Sequence, residues 1–263
     1  MEIIFLGTGG GRWVTLLQKL RTGGFRIHGD NINIHIDPGP GAMLDLKEAG
    51  INPFSTHACV VSHSHPDHYT DAELMVEAMT RAMTKHRGSF IGSLSTVDGA
   101  DGFRPVLSNY HTSQLSEIMA LKAGDKTEIR GVKLEALPTR HSDPTAIGMK
   151  FNFREGAIAY TCDTEYFSGM ESSYTGARVL IANVIRPEKK RIKWHLCRDD
   201  LIKILKKTEP ELVVMQHFGM TMLNCLDSEA RAVEKATGVK TIAAKDFMKI
   251  IVKKDIKVQY RSK

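Results

Sequence analysis

The sequence predicts a single α/β domain in which β-sheets form the inside and helices cover the outside. Short apolar runs recur along the chain, and stretches with helical periodicity follow them in each half. The 263 residues are 42% hydrophobic and 25% charged, which is typical of a globular protein with a sizeable core. No low-complexity linker or internal repeat divides the chain, so we expect one domain over residues 1–263.

Strands are predicted where apolar residues, many of them β-branched, form short runs or alternate with polar residues. They span residues 2–6, 24–28, 31–36 (a hairpin with the preceding strand), 57–62, 127–130, 132–137, 146–153, 157–162, 179–184, 211–216 and 239–243. The spacing of apolar residues predicts helices over residues 41–50, 71–86, 197–207, 227–237 and 245–250. Residues 88–112 are predicted as a long loop with one or two strands, which could cover a functional site.

The formal net charge of +6 leaves two interpretations open. The excess could be lysine on a solvated surface, or it could indicate an anionic partner such as a phosphate ester or nucleic acid. The four cysteines are scattered without a C-x-x-C pair, which argues against a disulfide framework and a thiolate zinc site. Cys59 and Cys162 lie in apolar runs and are expected to pack as small hydrophobic residues.

The N-terminal residues lack the basic region and the cleavage site of a signal peptide. No stretch of about 18 apolar residues, the length that begins to suggest a bilayer span, is evident elsewhere. Together with the scattered cysteines, these features favour a cytoplasmic protein without a membrane partner.

Residues 7–11, Gly-Thr-Gly-Gly-Gly, form a tight loop after the first predicted strand. The loop lacks the G-K-[ST] ending of a P-loop, and the third glycine of G-x-G-x-x-G would fall on Arg12. We therefore expect a turn that leads into a site and needs small residues, rather than a nucleotide-binding loop.

Side chains that could bind metal follow four of the predicted strands. His63, Asp163 and His217 each come directly after a strand, and His141 follows another by a few residues. In layered α/β proteins, sites are assembled at the carboxyl ends of strands. The pattern therefore predicts that these residues meet at one edge.

The densest group is the run His63-Ser64-His65-Pro66-Asp67-His68. Three imidazoles and a carboxylate within six residues, directly after a buried strand, have few structural uses and are typical of a metal site. Pro66 stiffens the loop, and the short spacing lets the side chains reach two neighbouring centres.

The H-x-H-x-D-H run and the later His141, Asp163 and His217 together resemble the metallo-β-lactamase superfamily. The opening Gly-Thr-Gly and the Tyr-Thr-Cys-Asp-Thr run at 160–164 resemble the same family. The resemblance implies a four-layer αββα sandwich, with two mixed sheets and helices outside, and two divalent metal ions at one edge.

The resemblance also implies the ligands: His63, His65 and His141 for one ion, Asp67, His68 and His217 for the other, and Asp163 as the bridge. These nitrogen and oxygen donors suit zinc, which we expect, and also manganese or iron. Two cations about 3.5–4 Å apart can share a water and lower its pKa toward 7, so that a bridging hydroxide attacks phosphorus or a carbonyl carbon. Asp67 is expected to help orient that water.

His195 narrows the class of substrate. It precedes a predicted helix, and His217 follows 22 positions later, which is similar to a segment of the ribonuclease Z and cyclic phosphodiesterase branches. That resemblance implies a histidine that binds the phosphate or protonates the leaving oxygen, and imidazole suits this role near neutral pH. The plainer alternative is a surface histidine at the start of a helix.

Neither branch is matched in full. His141 and Asp163 are only 22 positions apart, which leaves no room for the long tRNA-gripping arm of the bacterial ribonuclease Z enzymes. Asn183 stands where those enzymes have a glutamate that pairs with the helix histidine, and we take it as a candidate substrate contact. Residues 12–24 contain no cysteine, whereas the cyclic phosphodiesterases of phosphonate breakdown have a cysteine-rich zinc site near the N-terminus.

Two basic segments could contact an anionic substrate. Residues 186–193 lie just before His195 and could form either an anion funnel, with Arg186 and Lys193 as contacts, or a solvated loop. The tail, residues 245–263, carries seven Lys or Arg residues but is distant in sequence from every predicted ligand.

The favoured function is a metal-dependent phosphodiesterase that acts on a small cyclic nucleotide-like or RNA-derived diester. Three alternatives stay open: a ribonuclease Z-type tRNA 3′-processing endonuclease, a thioesterase or lactonase of the same superfamily, and a non-catalytic nucleic-acid-binding protein. The expected partner is an anionic diester, with nucleic acid as a second option. By analogy with related enzymes, a homodimer is also open.

Overall fold

Two mixed β-sheets, stacked face to face, form the centre of the molecule. The computed structural model describes residues 1–261. Their strands are β1 (Glu2–Phe5), β2 (Phe25–Gly29), β3 (Ile32–Ile36), β4 (Ala58–Val61), β5 (Ser89–Ser93), β6 (Glu117–Leu121), β7 (Lys126–Ile129), β8 (Val132–Pro138), β9 (Ile147–Phe153), β10 (Gly156–Tyr160), β11 (Ala177–Arg186), β12 (Leu196–Cys197), β13 (Leu212–Gln216), β14 (Thr241–Ala243), β15 (Lys249–Val252) and β16 (Ile256–Gln259).

Short helices connect these strands. They are α1 (Arg12–Leu17), α2 (Ala42–Glu48), α3 (Pro66–Tyr69), α4 (Ala72–Met79), α5 (Leu94–Val97), α6 (Asn109–Thr112), α7 (Arg198–Leu205) and α8 (Leu226–Thr237), with 3-10 turns at Pro53–Ser55 and Met170–Tyr174.

Each sheet is antiparallel in one half and parallel in the other. The first has the order β16-β15-β1-β2-β3-β4-β5-β6 and is parallel from β3 onward. The second has the order β14-β13-β11-β10-β9-β8-β7, is parallel from β10 to β14, and carries β12 beside β11. The predicted hairpin is confirmed as β2 and β3.

One apolar layer lies between the sheets, and a further layer covers each outer face. Phe25 of β2 and Tyr160 of β10 meet edge to face within the central layer, with ring centroids 5.0 Å apart. Helices α2 and α4 pack on the first sheet, and α7 and α8 on the second. The predicted four-layer αββα sandwich is confirmed.

Parallel pairing brings the carboxyl ends of several strands to one edge. In the second sheet Tyr160 lies opposite Ile181, and Ile181 lies opposite Val214, so the residues after these strands emerge together. A parallel bridge between Gly9 and Phe218 joins the loop after β1 to the loop after β13 at this edge. Side chains from both sheets can therefore meet there.

The predicted helix over residues 71–86 is too long. Helix α4 ends at Met79, because Arg81, Ala82 and Met83 have left-handed backbone conformations with φ of 57°, 56° and 59°. A right-handed helix cannot continue through such residues.

The predicted helix over residues 245–250 is wrong. This region contains the start of β15, which pairs antiparallel with β1 and buries Ile250 and Val252 while their neighbours stay half-exposed. That alternation is the period of a strand. The last two residues of the basic tail, 262–263, lie outside the described residues.

The segment 88–112, expected to be a long loop with one or two strands, contains one strand and two short helices. It contains β5, a fully buried strand between β4 and β6, followed by the short helices α5 and α6. A Cβ at Gly92 would lie 2.2 Å from Oγ1 of Thr96, which explains a glycine in this strand. Helix α1 and strand β6 were not predicted at all.

Two further expectations can be compared with the structure. Cys59 and Cys162 are fully buried, which confirms that they pack inside the protein. Among the residues described, no helix has the length and apolar composition needed to cross a bilayer.

His35 of β3 is a buried histidine whose charge state is coupled to folding. Its Nε2 lies 2.9 Å from the carbonyl oxygen of Gly23. Burial, helped by the Arg26 guanidinium, lowers the pKa of His35 to about 3. Between pH 6.5 and pH 3 the unfolded chain therefore binds a proton here that the folded protein does not, so stability falls as the pH drops through this window.

We expect the free energy of unfolding to fall between pH 7.5 and pH 5.0 by about 2 kcal/mol more in the native protein than in His35→Gln. Glutamine keeps an amide donor for Gly23 but does not titrate. Urea denaturation of both metal-free proteins at the two pH values measures the difference. Equal pH dependence in the two proteins would contradict a neutral, buried His35.

Candidate metal centre and active site

Three imidazole nitrogens converge at a first centre. Nε2 of His63 and Nε2 of His141 each lie 3.0 Å from Nδ1 of His65. His63 and His65 follow β4 of the first sheet, and His141 follows β8 of the second. A neutral imidazole nitrogen is either a donor or an acceptor, so hydrogen bonds alone do not account for a three-nitrogen cluster.

A second centre lies beside the first. Nε2 of His68 and Nε2 of His217 are 3.2 Å apart. The Asp67 Oδ2 atom lies 3.4 Å from Nε2 of His217 and 3.9 Å from Nε2 of His68. Asp67 and His68 are in α3, whereas His217 follows β13, so both sheets again contribute.

Asp163 lies between the two centres. Its Oδ2 atom is 3.6 Å from Nε2 of His68 and 3.2 Å from Nε2 of His217. It also belongs to two groups of potential ligand atoms that lie within 4.8 Å of one another, one with His63 and His68 and the other with His141 and His195. The structure therefore brings all seven sequence-predicted ligands to one edge, and their assignment to metal ions stays a prediction.

Asp37 orients this cluster from behind. Its Oδ2 atom accepts hydrogen bonds from Nδ1 of His68 (2.9 Å), the Tyr160 hydroxyl (2.8 Å) and the Ser62 hydroxyl (2.8 Å). A carboxylate on Nδ1 fixes the ring and directs Nε2 at the centre, as such carboxylates do for metal-bound histidines. Asp37 was not among the predicted site residues, although its place directly after β3 is the signal that marked the predicted ligands.

Several residues of the site have a left-handed backbone. They are Asp37 (φ 53°), Cys162 (φ 58°), Trp194 (φ 73°) and His217 (φ 60°). Such conformations persist only where surrounding contacts over-determine them, and they cluster at functional sites. At Trp194 the carbonyl oxygen accepts a hydrogen bond from Nδ1 of His141 at 3.0 Å, which orients that ring toward the first centre.

The glycine loop, residues 7–11, packs directly against the second centre. A Cβ at Gly10 would lie 2.2 Å from the His217 ring, and the Gly11 amide donates a hydrogen bond to Asp67 Oδ2 at 3.2 Å. The expectation of a turn that needs small residues and leads into the site is confirmed.

The charges around the cluster differ between the two centres. Burial lowers the pKa of His63 and of His65, and it lowers the pKa of His141 to about 4, so these rings are neutral at pH 7. Burial also acts to lower the pKa of His68, but the surrounding carboxylates, Asp37 foremost, outweigh it and raise that pKa. The second centre thus attracts positive charge.

The donor set fits divalent ions. The ligand candidates are imidazole nitrogens and carboxylate oxygens, and most of them are buried. Buried charges in proteins are paired or coordinate metals. Nitrogens bonded to one zinc ion at about 2.0–2.1 Å lie roughly 3–3.5 Å apart, which matches the spacing within each centre.

His195 lies on the open side of Asp163. Its Nε2 is 3.2 Å from Asp163 Oδ2, and its Nδ1 is 3.1 Å from the Lys193 carbonyl oxygen. Burial acts to lower the pKa of His195, but the hydrogen bond and charge of Asp163 outweigh it and raise the pKa.

Asn183 does not make the contact that we expected. It is 2% exposed, and its Nδ2 donates hydrogen bonds to Asp163 Oδ1 (2.7 Å) and to the Tyr160 hydroxyl (3.1 Å). The prediction that it contacts substrate is wrong, because β11 is a central strand and directs this side chain behind the carboxylate. Asn183 therefore positions Asp163.

The basic segment 186–193 divides into two parts. Arg191 is neutralised by Asp200 on α7, as expected of a solvated face. Arg186 and Lys193 instead line a cleft of about 500 Å³ beside Asp163, and no ion pair to either is found in the described chain. The segment is a surface loop whose two ends supply positive charge to the cleft.

The other candidate segments lie mostly apart from the cluster. The described part of the tail contains β15 and β16, which form the outer edge of the first sheet. In segment 88–112 Phe103 reaches the site, with its ring centroid 6.3 Å from that of His65. His111 pairs with Glu73 of α4, and Arg104 and Tyr110 are exposed.

Residues 32–218, more than two thirds of the chain, match the family model for the beta-lactamase superfamily domain. The chain belongs to the metallo-β-lactamase superfamily. An uncharacterised protein of Methanocaldococcus jannaschii is 46% identical over 252 residues, which cover 95% of this chain and 94% of that protein.

Solved structures show the same fold at low identity. The metallo-β-lactamase fold protein YhfI of Bacillus subtilis has a TM-score of 0.79 and 15% identity, over 94% of this chain and 98% of that chain. Human short-form tRNase Z has a TM-score of 0.66 and 14% identity, over 96% of this chain and 100% of that chain. A diphosphatase of the PhnP family has a TM-score of 0.68 and 17% identity, over 96% of this chain and 98% of that chain. This chain is a hydrolase of the metallo-β-lactamase fold, which implies binding of divalent metal.

We expect Gly10→Ala to weaken metal binding by at least about tenfold, because the added methyl group displaces the His217 ring. Zinc titration, followed by elemental analysis of the dialysed protein, measures the change. Gly29→Ala in β2 is the matched control, since its Cβ would meet only side-chain atoms, at 3.2 Å. Unchanged zinc affinity in Gly10→Ala would show that the position of His217 is unimportant.

Proposed function

We propose that this protein hydrolyses a phosphate diester with the help of two divalent ions. The proposed ligands are His63, His65 and His141 for one ion, Asp67, His68 and His217 for the other, and Asp163 between them. Zinc is the favoured metal, and manganese or iron suit the same donors. When bound, such ions supply a more acidic water and neutralise the charge that develops on the phosphoryl oxygens.

The observation that carries the proposal is the position of His195. Its imidazole lies within 3.2 Å of Asp163, on the side of the carboxylate that faces the cleft. A diester needs a proton on the oxygen that leaves, and a histidine beside the reacting group can supply it. A thioester expels a thiolate, which is far less basic than an alkoxide and has less need of such an acid.

His195 assists the step in which the diester is cleaved. The oxygen of water forms a new bond to phosphorus, and the bond from phosphorus to the leaving oxygen breaks. The leaving oxygen keeps the electron pair and takes the proton from Nε2 of His195, which yields an alcohol. The attacking water keeps one proton on the new phosphate monoester and releases the other to solvent, from which His195 is protonated again. In the proposed reaction Asp67, which accepts a hydrogen bond from the Gly11 amide, orients the water.

The charges of the cleft support an anionic substrate. Arg186 and Lys193 line it without forming ion pairs in the described part of the chain, and Arg12 joins them from α1. In contrast, the segment between His141 and Asp163 is filled by the antiparallel pair β9 and β10, with no inserted arm. A diester that enters the cleft therefore fits better than a tRNA held by such an arm.

We expect the zinc- or manganese-loaded protein to hydrolyse bis(p-nitrophenyl) phosphate. It should do so faster than it hydrolyses an aryl thioester or a lactone assayed in parallel. Asp163→Asn is the control for contaminating activity and should be inactive. Turnover of the thioester or lactone without turnover of the diester would instead assign the protein to the carbon-centred hydrolases.

We expect His195→Ala to lower kcat by about 10²–10⁴ for a diester with an alkyl leaving group. The loss should be much smaller for a p-nitrophenyl leaving group, because p-nitrophenolate departs without a proton. Steady-state kinetics with both substrates measure the contrast.

His86→Ala, which removes an exposed histidine from the loop before β5, is the matched control and should change neither rate. Metal content should also be unchanged in His195→Ala. Equal losses with both leaving groups, or a loss of metal, would show that His195 is not the proton donor.

A further inference from the structure

The cleft beside Asp163 has two unlike walls. One wall is the ligand edge, with His65, Asp67 and His195. The rest of the lining combines apolar side chains with the basic residues Arg12, Arg186 and Lys193, and it includes both tryptophans of the chain, Trp13 and Trp194. A cleft of about 500 Å³ is within the usual range for sites that bind small organic molecules.

Trp13 has the most open aromatic face in this cleft. It is in the first turn of α1 and is 71% exposed. The helix is anchored beneath it by Val14, which is fully buried. Ile185 forms the floor, packed so closely that a Cβ at Gly11 would lie 2.8 Å from its side chain. An indole on a fixed helix that lines the same cleft as Asp163 and His195 is a platform for a planar ring.

Trp194 has a different place in the same cleft. Its strained backbone is held at both ends, since its amide donates to Glu165 Oε2 at 3.2 Å and its carbonyl oxygen accepts from His141. The Lys193 Nζ atom lies 4.3 Å from the centroid of the Trp194 ring. Trp194 therefore holds an ammonium group at the rim, through a cation–π contact, instead of offering an uncovered face.

We propose that this cleft binds a nucleoside phosphate, with the base stacked on Trp13 and the phosphate held by the Lys193 ammonium that Trp194 positions. The inference rests on the proposed function and names the group attached to the scissile phosphate. Arg12 and Arg186, which line the same cleft, add positive charge near the sugar and phosphate. A flat, polarisable ring matches an indole face in a way that a flexible alkyl chain does not.

The structure assigns separable effects to the two tryptophans. Stacking on an aromatic side chain contributes about 1–3 kcal/mol per base, which corresponds to roughly 5- to 150-fold in affinity. Trp13→Ala should therefore lower the affinity only for ligands that carry a base. Trp194→Ala should lower the affinity for all phosphate ligands by the same factor, because Lys193 loses its cation–π contact with the ring.

The test is calorimetric titration of the zinc-loaded protein with three monophosphates: adenosine 5′-monophosphate, ribose 5-phosphate and hexyl phosphate. We expect the adenosine compound to bind at least fivefold more tightly than the other two. Trp13→Ala should remove that preference and Trp13→Phe should retain most of it. Leu16→Ala is the matched control, since Leu16 is 76% exposed on the same helix but outside the cleft lining.

Fluorescence gives a second measurement, because Trp194→Phe leaves Trp13 as the single tryptophan. Its emission should be quenched by adenosine 5′-monophosphate and not by ribose 5-phosphate. The proposal is overturned if the three ligands bind alike, if hexyl phosphate binds as well as the nucleotide, or if Leu16→Ala is as damaging as Trp13→Ala. The last result would mean that the exposed face of α1 covers another surface.

These measurements separate the subsite from the reaction. If bis(p-nitrophenyl) phosphate is hydrolysed but the base brings no gain in affinity, the nucleoside subsite is wrong and the phosphodiesterase stands. If the base-dependent affinity is present but no diester is hydrolysed, the subsite stands and the proposed reaction is wrong.

Discussion

A buried carboxylate, Asp163, is the constraint on which the active edge of this protein depends. It is 2% exposed, and a charge at that depth costs several kcal/mol unless it is paired or binds metal. The compensating groups are the rings of His68 and His217 and the amide of Asn183. They come from three different strands or the loops after them, in both sheets. The need to compensate one charge therefore ties the two sheets together at this edge.

The groups behind the predicted ligands are as informative as the ligands. Asp37 fixes the His68 ring, and the Trp194 carbonyl fixes the His141 ring. Both residues have left-handed backbone conformations that only a rigid environment maintains. Two of the strained residues of the chain therefore hold imidazoles of the site at a set angle. A site preorganised in this way does not have to rearrange when charge develops on a substrate.

The basic residues of the protein lie in two different kinds of surroundings. A net charge of +6 could indicate either a solvated surface or an anionic partner, and the structure contains both situations. Arg191 is neutralised by Asp200, whereas Arg186 and Lys193 line the cleft. These residues belong to one short segment, so composition alone could not distinguish them. Their different roles follow from the direction in which the loop leaves β11.

The sequence by itself determined the fold class and the seven residues that converge, because both depend on local patterns. Strands are recognisable from short apolar runs, and side chains directly after them must emerge at the sheet edge. Tertiary structure decided what local patterns do not contain. One or two strands were expected within residues 88–112, but β5 was not located among them, since the need for Gly92 arises from a close approach to Thr96. The Asn183 side chain lies inside the protein because its strand is central. The role of Asp37 depends on its hydrogen bond with His68, which is 31 positions away. Such contacts depend on the pairing of distant strands, which spacing along the chain does not specify.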